Sequence, residues 1–580
     1  MGIYHKEKDG LWVTVYTGDR AILLAFDLPE NQIDQLAGFS ISCTLPDTGH
    51  AGNGEYFLPN RLNFKRKVSA ETPFGSEQWT SSDKAPFQTF HWTHYPSTGP
   101  GQYVYTVFAA YFKSDTALAF GPSVSVTVDL LPERQSGIEI GFTRSMVSSQ
   151  AYVNRFHNKE LYPDPQIMDF DTTPYLDQYV WLGAHARETI ATFLKGCQND
   201  KGVTLDVFSF DFDEPDIIRA LCSLGRRVRV FQDNSTGHCW PGCQEEDMMR
   251  PPDEKDKRPP QEPDTVKALR NAGVEVRTGH FSRLSHNKVM IRRRDGAPEA
   301  VLTGSANFTV RGLYVQANSV LLFEQPGVAE LYAKAFDQAW NKPRNFSGSP
   351  IAGGWHDVVI GATRYSFSFA PHRTPFPLET IAEAIKKAEY SVLFAMMEMN
   401  SKGEATDAIK GLPEREDLYS MGVIEGRAQL RLFKPDTGKP NFTAASKAYL
   451  KKDVPAPFDK EIGGGSGKVI HHKFVVCDFN GDNPVVFCGS SNLAAGGETS
   501  NGDNLIAIHD RNIAVQYAIE AIRLYDHFRF RSMRETSTKA KPLQLNSESV
   551  WLEPYYDPSS IKYRERIALA RPAGKLGGDR

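Results

Sequence analysis

The sequence predicts an α/β protein in which an all-β sandwich precedes a duplicated, two-lobed region of mixed sheets flanked by helices. Three observations predict it. Short alternating strands bounded by Gly, Pro, Asp and Asn fill the first 132 residues. From residue 133 onward, strands alternate with amphipathic helical segments. The order of those segments is then repeated, with one polar signature in each copy, 185 residues apart.

Within residues 1–132 the strands read "LWVTVYT", "AILLAFDL", "GFSISCTL", "FQTFHW", "YVYTVFAAYF" and "SVSVTVDLL". A paired antiparallel sandwich is the expected arrangement, and "PGQYVYTVFA" is similar in pattern to a late strand of an immunoglobulin or fibronectin type III domain. Such a domain serves as a spacer or binding module, and the sequence assigns it no chemistry.

Residues 133–345 form the first lobe and residues 346–535 the second. "LGAHARETIATFLKGCQ", "TLDVFSFDF", "PDIIRALCSLG" and "RVRVFQDN" in the first copy are answered by "LETIAEAIKKAE", "YSVLFAMMEM", a helical connector and "RAQLRLFKP" in the second. The alternation favours mainly parallel pairing. One long loop interrupts each copy upstream of its signature, acidic and Pro-rich in the first and basic, then Gly-rich, in the second; both are candidates for substrate selectivity. Residues 536–580 have weak periodicity and are expected to be partly ordered.

Composition narrows the function classes. At 580 residues, with 40% hydrophobic and 23% charged, this is an ordinary globular balance long enough for several domains. The net charge is −4, so a nucleic-acid partner would have to be held by a local patch and not by the field of the whole protein. No run reaches the roughly 18 to 20 apolar residues of a membrane span, the N-terminus has no apolar leader core, and Lys6 breaks a myristoylation signal. Seven scattered cysteines form no disulfide framework, which makes the cytoplasm the expected location and signal-free secretion the alternative. His238, Cys239 and Cys243 in "GHCWPGCQ" offer three soft ligands without a fourth, so a surface turn is preferred there to a metal.

The chemistry lies in the repeated signature. "LSHNKVMIRRRDGAPEAVLTGSANFT" sets His286 and Lys288 on one strand face and returns after a hairpin with Ser305 and Asn307. "VIHHKFVVCDFNGDNPVVFCGSSNLA" repeats it with His471, Lys473, Ser490 and Asn492. One HxK strand is usually structural, because His and Lys are common on half-exposed strands; two copies of so polar a pattern inside apolar frames reverse those odds. A phosphodiester needs a neutral nucleophile, a proton donor for the leaving oxygen and several donors for the equatorial oxygens, and this set supplies all three. Histidine suits both proton roles because its ordinary pKa of about 6.5 lets neighbours select either state.

The complete pattern, HxK, four residues, Asp, then GSxN, resembles the phospholipase D superfamily over about residues 140 to 530. The resemblance implies two motifs meeting at one active site on a pseudo-two-fold axis, no cofactor and no metal. It makes His286, Lys288, His471 and Lys473 the catalytic set and Ser305, Asn307, Ser490 and Asn492 the phosphate-binding set. It also implies that the N-terminal histidine is the one phosphorylated. Two positions depart from the pattern. Asp478 follows His471 by seven residues, but Arg293 stands there after His286 and Asp295 comes two residues late; since that Asp supports the hairpin in the family, an altered turn and an intact site are expected. Eleven residues after each GSxN asparagine, where the family often has an acidic residue that orients its histidine, stand Asn318 and Asp503. Taken lobe by lobe, Asp503 backs His471 and favours its protonated form, while Asn318 backs His286.

Arg292 to Arg294 read as a solvated hairpin tip, with recruitment of an anionic substrate as the alternative. Glu398, at the end of a predicted strand, is as well explained by structure as by function. The expectation is a phosphodiester hydrolase working through a phosphohistidine, with phospholipid slightly favoured over nucleic acid by the acidic balance. A nuclease of bacterial defence or toxicity, a phosphatidyl transferase and a non-catalytic binding protein are the alternatives. Protein partners are not indicated.

Overall fold

The computed structural model describes residues 2–45, 54–72, 79–96, 99–114, 117–130, 134–135, 137–163, 168–235, 238, 262–397, 402–424, 443–446, 458 and 469–572. Cys239, Cys243, Glu398 and "RAQLRLFKP" lie outside the described residues.

Two four-stranded antiparallel sheets occupy the N-terminal part. One pairs Ile3–Lys8, Leu11–Thr17, Ile22–Asp27 and His91–His94 in that order; the other runs Ala117–Leu130, Gly101–Ser114, Leu36–Thr44 and Glu55–Phe57. Leu11, Val13, Val15, Ile22, Leu24 and Phe26 of the first meet Phe39, Ile41, Tyr103, Tyr105 and Val107 of the second in a shared core. Period-two alternation has a second consequence here, because Tyr16, Leu23 and Ala25 point the other way into the core of the two lobes. The sheet is therefore covered on both faces, which explains why "ILLAF" is apolar throughout and why Ile22–Asp27 is buried throughout. This part is welded to the lobes and is not a spacer.

Each lobe carries an eight-stranded sheet, and the two orders match strand for strand. In the first, Arg134–Gln135, Ile138–Phe142, Ser319–Phe323, Ala297–Gly304, Val289–Arg294, Val203–Ser209, Val228–Asp233 and Glu275–Gly279 lie side by side. In the second, His356–Ile360, Thr363–Ala370, Asp503–Ile508, Val485–Gly489, Lys473–Cys477, Ser391–Met396, Tyr419–Ile424 and Thr443–Ser446 repeat that order. The expected parallel pairing is limited to three strands at one end of each sheet: Val203–Ser209, Val228–Asp233 and Glu275–Gly279 run parallel, and their counterparts do too. The other described pairings are antiparallel, and within each signature the short hairpin turn leaves no length for a crossover. The strand beside Ser391–Met396 is Tyr419–Ile424, not the later segment expected from the sequence.

The residues after 536 are more ordered than their weak periodicity suggests. Trp551, Leu552 and Tyr555 enter the sandwich core, and Ala568, Leu569 and Ala570 enter that of the lobes. Thr14 Oγ1 donates to the Ala570 carbonyl at 2.5 Å and Tyr16 OH to that of Leu569 at 2.7 Å. Buried Asp27 pairs with Arg566 and, at 2.6 Å, with Arg571. The segment is held by the sandwich, which a local sequence pattern does not reveal. Among the described residues no helix is long and apolar enough to cross a membrane.

Candidate functional site

The two HxK strands enter the seam between the lobes with their histidine ends toward each other. Ser285 bridges to Gly502 and Ala317 to Ile470, both in parallel sense, so each lobe lends a short edge to the other. Gly502 N–H donates to the Leu284 carbonyl at 2.7 Å, and Ala317 N–H to that of Val469 at 2.8 Å.

That exchange fixes the partners of the two imidazoles, and it overturns the lobe-by-lobe assignment. His286 Nδ1 lies 2.8 Å from Asp503 Oδ1, and His471 Nδ1 lies 2.9 Å from Asn318 Oδ1. Each histidine is oriented by the opposite lobe. A carboxylate only accepts, so His286 carries its proton on Nδ1 and leaves Nε2 as the reactive nitrogen. The Asn318 amide is oriented by its own bonds: Nδ2 donates to the Gly312 carbonyl at 2.8 Å, and Oδ1 is left to accept from His471. Burial is the largest influence on His286 and lowers its pKa, as do Lys288 and Lys473, while Asp503 opposes them. At neutral pH its lone pair is available.

Ser305 and Ser490 do not take the phosphate-binding place expected of them. Ser305 Oγ donates to Asn318 Oδ1, and Ser490 Oγ to Asp503 Oδ1, both at 2.8 Å. Each hydroxyl also accepts a backbone N–H, from Ser319 and Asn504 respectively, at 3.0 Å. Their task is to hold the groups that hold the histidines. Asn307 and Asn492, by contrast, line the same cavity of about 340 Å³ as His286 and His471, and the Oδ1 atom of each is buried without a hydrogen-bond partner among the described residues. Lys288 and Lys473 are buried beneath, each donating to the carbonyl of its own motif histidine. Burial pulls the Lys288 ammonium down to about 8 although Asp503, Asp211 and Asp233 favour its charge.

Sequence reasoning missed Asp211 and misjudged His238. Asp211 closes the strand Val203–Ser209 two residues beyond its end, lines the cavity and accepts from Asn307 Nδ2. His238 lies between Asp233 (Nδ1 to Oδ1) and Asp211 (Nε2 to Oδ1), both at 2.9 Å, with Glu262 at 3.7 Å. Burial disfavours its charged form, but the surrounding carboxylates hold its pKa well above the ordinary value. The ligand atoms of Asp211, His238 and Glu262 all lie within 4.8 Å of one another, a spacing compatible with a cation; in their present geometry they face one another at the cavity edge, with His238 and Glu262 buried and Asp211 partly exposed. The signal in the sequence that points to Asp211 is its place just past the C-terminal end of a sheet strand, where α/β sites gather.

The remaining sequence candidates lie away from the cavity. Arg292, Arg293 and Arg294 sit at the far end of their hairpin and are each ion-paired: with Glu299 and Glu324, with Asp206 and Asp337, and with Asp200 and Glu299. They are neither free tips nor recruiters at the mouth. Arg293 thus spans to Asp206 where the second copy has Asp478. Asp478 instead accepts the backbone N–H groups of Glu389, Tyr390 and Ser391 at 3.1, 2.7 and 3.0 Å, fixing the start of the central strand.

The chain matches the family described as "Cardiolipin synthase, PLD-like domain" over residues 192–340 and 381–525, one match for each lobe. The mitochondrial cardiolipin hydrolase of Xenopus laevis is 30% identical over 142 residues, which is 24% of this chain and 55% of that protein. The chain therefore spans about half the length of this curated relative. Among solved structures, the phosphatidylserine synthase of Haemophilus influenzae Rd KW20 aligns at 11% identity with a TM-score of 0.38, covering 66% of this chain and 93% of that one. Nuc from Salmonella typhimurium, a phospholipase D family member, aligns at 21% identity with a TM-score of 0.19, covering 27% and 88%.

Replacing Asp478 separates scaffold from chemistry. Asp478→Ala leaves three backbone donors without their acceptor, and stability measured by urea denaturation should fall by about 1–3 kcal/mol. Turnover measured well below the unfolding transition should persist, because no part of Asp478 reaches the cavity.

Proposed function

The chain belongs to the phospholipase D superfamily, and from that premise we propose that it hydrolyses phosphodiesters through a phosphohistidine on His286. The observation that supports this most is the crossed pairing of His286 with Asp503 and of His471 with Asn318 at one cavity. His286 Nε2 attacks phosphorus, the bond to the leaving oxygen breaks, and His471 delivers its Nε2 proton to that oxygen. Water then attacks the phosphorus, the P–N bond breaks, and His471 takes the water proton. Asp503 balances the positive charge that the phosphorylated imidazole carries, a reason for the carboxylate to stand behind the nucleophile and the neutral amide behind the proton carrier. His286 thus keeps the nucleophilic role expected of it, on grounds opposite to those read from the sequence. Lys288 and Lys473 compensate the phosphate charge from beneath, and the Nδ2 groups of Asn307 and Asn492 donate to the equatorial oxygens.

For the substrate we favour a phospholipid. The support is the net charge of −4 and the likeness of one stretch of 142 residues to a protein named as a cardiolipin hydrolase. Parallel assays on labelled phospholipid vesicles and on a plasmid decide this: release of headgroup from vesicles is expected, and nicking of plasmid with inert vesicles would assign a nuclease.

Two variants test the covalent step. With a diester that has a good leaving group, His471→Asn should accumulate a phosphoenzyme detectable by intact-protein mass spectrometry, whereas His286→Asn should give none. Adduct on His471 in the second variant would exchange the roles.

The pH dependence has a defined sign. Asp503 raises the His286 pKa against the pull of burial and the lysines, so Asp503→Asn lets it fall further. The acid limb of the kcat/KM profile, which follows loss of the His286 proton, should move to lower pH. The plateau should drop on the order of 100-fold, because the imidazole loses the partner that orients and neutralises it.

A further inference from the structure

We propose that Asn504 is a positioning residue for the nucleophilic half of the site: by clasping Asn287 across the seam, it holds the His286 segment of the first lobe in register with Asp503 of the second. The inference rests on the reading of His286 as the nucleophile and adds to it the residue that sets its approach to Asp503.

Three consecutive pairs join the lobes here at one offset in sequence. Ser285 bridges to Gly502 in parallel sense, His286 Nδ1 meets Asp503 Oδ1 at 2.8 Å, and Asn504 Nδ2 donates to Asn287 Oδ1 at 2.9 Å, each pair 217 residues apart. The matching seam begins in the same way at an offset of 153, with Ala317 against Ile470 and Asn318 Oδ1 against His471 Nδ1. There the third pair is not made. His472 Nε2 lies 2.9 Å from Glu520 Oε1, and Ser319 Oγ accepts from the Tyr517 hydroxyl at 3.4 Å. The segment that carries His286 is therefore gripped by one more side-chain bond than the segment that carries His471.

Neighbours fix the sense of the Asn504 carboxamide. The Ser490 hydroxyl gives its proton to Asp503 Oδ1, so it can only accept from Asn504, from the backbone N–H at 3.0 Å and from Nδ2 at 3.3 Å. Oδ1 is thereby turned to two first-lobe donors, Tyr332 OH at 3.1 Å and Thr303 Oγ1 at 3.3 Å. Asn287, Thr303, Tyr332 and Asn504 are all buried, and neither asparagine lines the cavity. The brace acts on substrate only through His286 and Asp503.

The test is the pH profile of Asn504→Ala. The kcat should fall about tenfold or more with KM little changed, because a slightly misplaced nucleophile attacks slowly while the cavity lining is untouched. Asp503 raises the His286 pKa against burial, Lys288 and Lys473, and Asp211 is the other carboxylate that interacts with this imidazole. Loosening the Asp503 contact therefore moves the acid limb of kcat/KM to lower pH. In an Asp503→Asn background, Asn504→Ala should move it no further, since the charge being positioned is gone. Asn287→Ala opens the same bond from the first lobe; it should reproduce the shift, and it carries the test if Asn504→Ala does not fold. An acid limb that stays in place in these variants, even with stability reduced, overturns the positioning role, as does a full additional shift in the Asp503→Asn background. If wild type cleaves neither phospholipid vesicles nor plasmid, the phosphodiesterase reading has failed, and an NMR titration of histidine-labelled protein decides the brace without substrate. The His286 signal, assigned by its loss in His286→Asn, should titrate at lower pH in Asn504→Ala than in wild type; an unchanged midpoint sinks the proposal.

Discussion

The hydrogen bonds that cross the seam between the lobes are the constraint on which the site depends. Asp503 holds His286 and Asn318 holds His471, so neither motif has an oriented histidine until the other lobe is in place. The short edge pairings of Ser285 with Gly502 and of Ala317 with Ile470 set the approach. The Ser305 and Ser490 hydroxyls then fix the rotamers of Asn318 and Asp503. Because an imidazole must present one nitrogen accurately to phosphorus, a site assembled this way is all-or-none with respect to lobe docking.

The same logic accounts for the mass of structure outside the site. Behind the seam a continuous core runs from one lobe through the other and into the back of the N-terminal sheet, where Tyr16, Leu23 and Ala25 are buried. The C-terminal segment closes that junction: Arg566 and Arg571 converge on buried Asp27, and Tyr16 reaches the Leu569 carbonyl. Buried charge without a partner is costly, so these pairs specify which surfaces dock even where they add little net stability.

Electrostatically the site is a layered arrangement of paired charges. Lys288 and Lys473 are buried and bonded to their own histidines' carbonyls, and His238 is held among Asp211, Asp233 and Glu262, which favour its charged form. Asp233 also accepts the Ser285 N–H, and the Phe210 ring packs edge-on at 4.8 Å from His286 and 4.7 Å from His238. The first lobe thus carries most of the charge at the cavity, and the second presents Met397, Ala494 and Gly497.

By itself the sequence determined the architecture and the chemical vocabulary. The repeat at constant spacing gave two lobes, the period-two runs gave the sandwich, and the paired HxK and GSxN motifs named the residues at the cavity, because each is a local signal written in adjacent positions. Tertiary structure decided what those residues do to one another. Which histidine Asp503 serves depends on how one lobe turns against the other, and no periodicity records that. Ser305 and Ser490 were assigned to phosphate by motif and turned inward by their bonds to Asn318 and Asp503. Arg292 to Arg294 were charged tips in sequence and became paired once Asp206, Asp337, Glu299, Glu324 and Asp200 were brought beside them. The segment after 536 has no internal pattern of its own, because its order comes from the sheets it packs on and its partners stand more than 500 residues earlier in the chain.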